Sequence, residues 1–322
     1  MIHSTLEEHR LAERLRRRIQ IERRYAQQGH TRRHGRWKRL FERRVERTVL
    51  RYGLKAIGLY ERGRQNALTV RTTRLQFEFP ELPAAFDGFR ILHVSDFHID
   101  GVDGLAEALE RAISELQPEP DLCVFTGDYR FEDLGDCQRV YPRMQMAMRG
   151  IRAPHGIHGI LGNHDAAEIA FRLEELGVHM LVNESARIER GNSSVWLVGV
   201  DDRFEYQCDD LQAALDGVPP EAFKILLSHS PELYKEAGAA GISLYLTGHT
   251  HAGQIRLPGI GAVKHNARCP RRMAFGAWQH QSMQGYTSAG VGCSSVPIRF
   301  GCPPELVLLE LVRAQPQNSE RA

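Results

Sequence analysis

The stretch 244-LYLTGHTHAGQIRLP-258 decides how this chain is read. Leu244, Tyr245 and Leu246 make a short apolar run of strand length, and it stops at Gly248-His249-Thr250-His251. Two imidazoles one residue apart, bounded by glycines, either decorate a loop by chance or are aimed at one object. The other apolar runs decide. "FRILHVS" is followed by Asp96-Phe97-His98, "DLCVFT" by Gly127-Asp128, "GIHGIL" by Gly162-Asn163-His164-Asp165, and "KILLS" by His229. In an α/β sheet, sites form in the crevice beyond the strand C-termini, so residues far apart in sequence converge there. Glycines beside such residues permit tight turns and a close approach of backbone to an ion.

Each motif alone is weak. Asp-x-His is commonly a turn, Asn163 or Asp165 can cap a helix, and a single histidine at a strand end is commonly packed and hydrogen-bonded. Five runs ending in ligand residues, with no other strand end doing so, argue for one site. Asp, Asn and His without Cys suit borderline-hard divalent ions such as Mn²⁺, Fe²⁺ or Zn²⁺. Seven candidate ligands exceed the needs of one ion and favour two ions sharing a carboxylate.

Helical stretches near 103–117, 137–149 and 166–176 alternate with these runs. Further strands are read in "SVWLVGV" (194–200), "GYTSAG" (285–290) and "ELVLLELV" (305–312), and an edge strand in "LTVRTTRLQFEF" (68–79). The fold class is therefore α/β. At 322 residues, 42% hydrophobic and 25% charged, the chain fits one large globular domain with an appendage. No apolar run reaches the roughly 18 residues that span a bilayer, and the N-terminus lacks the hydrophobic core of a signal peptide. Six scattered cysteines without CxxC spacing suit a reducing compartment, so a cytoplasmic location is expected.

The net charge of +2 hides an asymmetry. Residues 1–74 hold 21 Lys/Arg against 7 Glu, and the remainder 21 Lys/Arg against 33 Asp/Glu. This divides the chain into a basic helical segment, 1–65, and an acidic body, 66–322. Residues 5–28 and 36–62 have helical character. In the second stretch Phe41, Val45, Val49, Tyr52, Ala56 and Leu59 form an apolar stripe beside Arg39, Arg43, Arg44, Arg47 and Arg51. Such a helix suits an anionic membrane surface; the alternative is that its stripe packs on the body. Nucleic acid is not favoured, because no recognition motif accompanies the charge.

The ordered set D-x-H, GD, GNHD, H and GHTH resembles the calcineurin-like metallophosphoesterase superfamily over about residues 75–312. The resemblance implies an α/β/β/α sandwich with mixed sheets and a two-metal site. Asp96, His98 and His251 would hold the first metal, Asn163, His229 and His249 the second, and Asp128 would bridge them. His164 would face the scissile phosphate, oriented by Asp165. The expected cofactors are two divalent cations, Mn²⁺ first and Fe²⁺ or Zn²⁺ as alternatives. Two such cations about 3.5–4 Å apart clamp phosphate oxygens and lower the pKa of water.

The C-terminal third, "GHTHAGQIRLPGIGA" with "GYTSAGVGCSSVPIRFGCPPELVLLEL", is similar to a bacterial branch of that superfamily. The branch holds membrane-associated phosphodiesterases and a UDP-2,3-diacylglucosamine pyrophosphatase of lipid A biosynthesis. It usually reads GHTHGGQ, where this chain has Ala252. It also tends to begin with a membrane or export segment, where this chain has the basic helices. The expectation is hydrolysis of a phosphodiester or pyrophosphate bond, in a lipid-linked nucleotide, by a protein peripheral on the inner face of the inner membrane. Arg271 and Arg272 are candidates for binding substrate phosphate, and Trp278 for stacking. The alternatives are another phosphoester (phospholipid, nucleotide or phosphoprotein) and a non-catalytic membrane- or RNA-binding scaffold. Oligomeric state is left open.

Overall fold

The computed structural model describes residues 9–27, 45, 47–132, 135–262 and 267–314. Phe41, Arg39, Arg43 and Arg44, and the helical expectations over 5–8, 28, 36–44 and 46, lie outside them. The strands in chain order are β1 (Arg71–Phe79), β2 (Phe89–Val94), β3 (Leu122–Phe125), β4 (Ile157–Gly159), β5 (Val178–Met180), β6 (Glu184–Arg190), β7 (Ser193–Gly199), β8 (Lys224–Leu227), β9 (Leu244–Thr247), β10 (Arg256–Leu257), β11 (Gly261–Ala262), β12 (Gly276–His280), β13 (Met283–Thr287) and β14 (Glu305–Arg313). The helices are α1 (Arg16–Gln27), α2 (Tyr60–Asn66), α3 (Leu105–Ser114), α4 (Val140–Met148), α5 (Ala167–Glu175), α6 (Leu211–Ala214) and α7 (Tyr234–Ala239).

Two six-stranded mixed sheets result, ordered β1-β14-β2-β3-β4-β5 and β12-β13-β9-β8-β7-β6. In the first, β2 to β5 run parallel, and β14 is antiparallel to β2 but parallel to β1. In the second, β7, β8, β9 and β13 run parallel and hairpin partners close both edges. The period of two in a strand sends alternate residues to opposite faces. Phe89 and Ile91 of β2 face inward, against Ile225 and Leu227 of β8 and Leu244 and Leu246 of β9. Leu92 and Val94 face outward, under Leu105 and Leu109 of α3. Tyr245 faces outward on the second sheet, with Leu233 and Ala237. Both faces of each sheet are covered, so the central strands read as unbroken apolar runs rather than alternating ones. The architecture is the expected α/β/β/α sandwich.

The basic segment is not all alike. Leu11 and Leu15 are buried in the same cluster as α3 and α5, so the N-terminal helix is seated on the outer layer of the first sheet. Residues 47–56 form a helix whose Leu50 and Leu54 lean on Tyr60, Val296 and Ile298. Its other apolar side faces outward, with Val49 65% and Tyr52 66% exposed.

Candidate metal centre

The central strands β2, β3, β8 and β9 stop at one rim, and the ligand residues follow them there; the turn after β4 reaches the same place. Several of these residues take left-handed backbone: Asp96 (φ 52°), His98 (φ 37°), Asp128 (φ 57°), His249 (φ 70°) and His251 (φ 50°). Non-glycine residues adopt that region at a cost, and persist there when the surroundings over-determine them. The glycines leave no room for an alternative. A Cβ on Gly248 would lie 1.9 Å from Ser95 Oγ and 2.2 Å from Asp96 Oδ2. One on Gly162 would lie 2.2 Å from Asp128 Oδ1.

Among the described residues, two groups of donors share a wall, and a third, His98, Asp128 and His164, overlaps both. Asp96, His98 and His251 form the first: His251 Nε2 is 3.3 Å from Asp96 Oδ1 and 3.1 Å from His98 Nε2. Asp128, His229 and His249 form the second: His249 Nδ1 is 3.2 Å from His229 Nε2. Asn163 Oδ1 lies 3.1 Å from His229 Nε2 and joins it. Asp128 Oδ2 lies between, 3.5 Å from His98 Nε2 and 3.2 Å from His229 Nε2. All seven residues that the sequence singled out are thus brought together.

The chemistry of these donors fits cations. His98 Nδ1 pairs with the Arg130 carbonyl at 2.8 Å and His229 Nδ1 with the Thr126 carbonyl at 2.7 Å. A carbonyl can only accept, so each Nδ1 carries the proton and each Nε2 turns a lone pair inward, as metal-ligating histidines do. Imidazole nitrogens facing each other at 3.1 Å share at most one proton, and a common cation satisfies both.

A family profile for the calcineurin-like phosphoesterases matches residues 89–253, which hold all seven donors and His164. The chain belongs to the calcineurin-like phosphoesterase family. It is 28% identical to an uncharacterized metallophosphoesterase, YkuE, of Bacillus subtilis over 75% of this chain and 85% of that one. It is 28% identical to the phosphodiesterase YaeI of Escherichia coli, over 70% of this chain and 82% of that one. To the UDP-2,3-diacylglucosamine pyrophosphatase LpxG of Chlamydia trachomatis it is 25% identical, over 74% of this chain and 88% of that one. This chain is a metal-dependent phosphoesterase.

Within this phosphoesterase, His164 takes a different support from the one expected. Its Nδ1 pairs with the Phe131 carbonyl at 2.8 Å, which leaves Nε2 facing the centre, 4.0 Å from Asp128 Oδ2. Asp165 instead braces backbone, its carboxylate accepting the N–H groups of Gly162, Asp128 and Tyr129 at 2.7–2.8 Å. A short carboxylate two residues after Asn163 folds under its own turn before it can reach the ring. Arg130 is buried and donates to the His164 carbonyl. Arg299 is wholly buried and donates to the carbonyls of Ala289, Gly290 and Gly292 behind Asp96, lying 3.5 Å from His251 Nδ1.

Burial and charge set the titration of the donors. Burial pushes Asp96 up to about 6 against the opposing charge of His229. It also acts on Asp128, but His229, His164 and His98 outweigh it and hold that carboxyl well below its usual range. His98 is pushed down to about 3 by burial and by His164. His229, despite burial, is raised to about 10 by Asp128, so without a cation it carries a second proton on Nε2, which a bound cation would displace.

Beside the centre the ring of Phe204 lies 4.2 Å from that of His249. Phe204 lines a cavity of about 400 Å³ with Arg203, Gln207, Glu232 and Arg268. No sequence motif marks these residues. Arg271 and Arg272 sit in a short 3₁₀ turn (Arg271–Met273) with exposed side chains and do not line that cavity. Trp278 is buried, donating its indole N–H to Thr287 Oγ1 at 2.9 Å, so it anchors β12 to β13 instead of offering a stacking face.

Proposed function

We propose that the chain hydrolyses a phosphodiester or pyrophosphate bond with two divalent cations, Mn²⁺ foremost, held by Asp96, His98 and His251 on one side and Asn163, His229 and His249 on the other. Asp128 is the shared ligand. The observation that carries this reading is the placing of one Asp128 oxygen within 3.5 Å of a donor nitrogen from each group. The cations supply Lewis acidity to the phosphate oxygens and acidify water near neutral pH. The protein's part is orientation. His164 Nε2, fixed through the Phe131 carbonyl, holds a hydrogen bond to the phosphate or passes a proton to the leaving oxygen. Asp165 keeps the Asn163-His164 turn against the Asp128 backbone.

For the substrate we favour a lipid-linked nucleotide of the UDP-2,3-diacylglucosamine kind. Similarity to LpxG supports it. So does the outward apolar side of helix 47–56, where Val49 and Tyr52, with Val45 before the helix and Ile57 after it, are exposed among basic residues; this suits the anionic inner face of a membrane. Among the described residues no helix is long and apolar enough to cross one. In this reading the cavity beside Phe204 would receive the part of the substrate next to the cleaved bond, and Arg271 and Arg272, exposed nearby in sequence, are proposed as contacts for a more distant phosphate.

The test strips the purified protein of metal and reloads it with Mn²⁺, Zn²⁺ or Fe²⁺. Bis(p-nitrophenyl) phosphate, p-nitrophenyl phosphate and UDP-2,3-diacylglucosamine are then assayed side by side. Rapid UMP release with slow generic cleavage is the expected result. Generic diester cleavage without UMP release would remove the lipid-nucleotide reading.

A further inference from the structure

The turn Gly162-Asn163-His164-Asp165 presents a proposed metal ligand and the residue proposed to face the phosphate, and its carbonyls need donors. His164 O is held by Arg130 from the body of the family domain. The carbonyls of Gly162 and Asp165 are held by one side chain, Arg18, which comes from α1 and lies outside residues 89–253. Arg18 is wholly buried and pairs with the carboxylate of Asp201, and its guanidinium lies 4.0 Å over the ring of Tyr206. Burial alone would favour losing its proton, but Asp201, Tyr206, Cys208 and Asp202 outweigh it and keep it charged.

The same helix grips both ends of this region. α5 begins without a capping side chain of its own, and Glu22 Oε1 accepts the Ala167 N–H at 2.9 Å in its place. Arg17 donates to the Gln207 carbonyl at 2.8 Å, and Arg14, just ahead of α1, to the Asn183 carbonyl at 2.9 Å. The segment between Asp201 and Gln207 carries Phe204 against His249. One helix thus fixes the turn that bears Asn163 and His164 and the loop that lines the neighbouring cavity.

We propose that Arg18 is a positioning residue for the phosphoesterase reaction: through the Gly162 and Asp165 carbonyls it sets the place of Asn163 and His164, which makes the N-terminal helix part of the active-site structure. The proposal rests on the reading of His164 and Asn163 as site residues. It explains why a guanidinium is needed. Its planar fork serves a carboxylate and two carbonyls at once, and a lysine ammonium on a thinner stem does not span all three.

The test compares full-length, Mn²⁺-loaded wild-type protein with Arg18→Lys and with Arg18→Met/Asp201→Asn. The double variant removes the charges of the buried Arg18–Asp201 pair together, and Glu22, 3.7 Å from Arg18 Nε, keeps its bond from the Ala167 N–H. With bis(p-nitrophenyl) phosphate, kcat is expected to fall about ten- to a hundredfold in the double variant while KM stays within about twofold, since misplacement by an ångström has effects of that size. Arg18→Lys should recover part of the loss. A second readout is independent of turnover: amide hydrogen exchange across 160–167 should speed up in the double variant. A well-folded double variant with wild-type kcat, or one with raised KM and unchanged kcat, would overturn the proposal. If wild-type protein cleaves no phosphoester, the functional reading fails, and exchange across 160–167 alone then decides: unchanged protection refutes the role of Arg18.

Discussion

Three imidazoles crowd the carboxylate of Asp128, and their combined potential outweighs the cost of burying it. That makes Asp128 a standing anion at the point where the two donor groups meet, which is what a shared ligand requires. His93 shows the opposite case three residues before Asp96. It shares a strand face with Phe89 and Ile91, its Nε2 pairs with Thr126 Oγ1 at 2.9 Å, and burial alone lowers it to about 3. The unfolded chain takes up a proton at this position below about pH 6.5, and the folded chain does so only near 3. His93 therefore draws down stability as pH falls from 6.5 towards 3, by about 2 kcal/mol at pH 5. Urea unfolding at pH 7.5 and pH 5 should show a smaller acid loss in His93→Gln by about that amount. An equal loss in both proteins would contradict the assignment.

At the level of elements, the site was legible because each central strand is covered on both faces and so reads as an apolar run with a sharp polar stop. Asp96, Asp128, Asn163, His229 and His249 each follow such a stop, and the fold carries the stops to one rim. The edges were less legible. β5, β6 and β12 are short or half-exposed, and their side chains alternate without a distinct signal. The support of His164 was misread because Phe131 contributes only a carbonyl, which no side-chain pattern reveals. Arg18 was hidden for a related reason. It is one of 21 basic residues in the first 74, and its partners Gly162, Asp165 and Asp201 are more than 140 positions away. Ala252, at φ 49°, stands where glycine is usual in the similar branch; its left-handed strain of about 1 kcal/mol is offset by burial against Ala289 and Cys302.

Across the whole molecule, the charge asymmetry divides into two roles. Arg10, Arg14, Arg17 and Arg18 are turned to the body, where they meet Glu174, Glu184, Asp201 and backbone carbonyls. The helix over 47–56 turns Val49 and Tyr52 outward instead. Removing the first 65 residues would therefore damage the site as well as the surface, so point changes are the cleaner probe. Val49→Glu/Tyr52→Glu should reduce co-sedimentation with phosphatidylglycerol-containing vesicles severalfold while diester turnover in solution is unchanged. Equal sedimentation of variant and wild type would remove the membrane surface from the account.

A pair of cations sharing Asp128 is tested by Mn²⁺ stoichiometry together with the electron paramagnetic resonance spectrum of the loaded protein, in wild type and in Asp128→Ala. Wild-type protein should bind two Mn²⁺ per chain with an exchange-coupled spectrum, and a folded Asp128→Ala protein should lose that coupling together with turnover. One Mn²⁺ per chain in the wild type, or a coupled pair that survives without the Asp128 carboxylate, would contradict it.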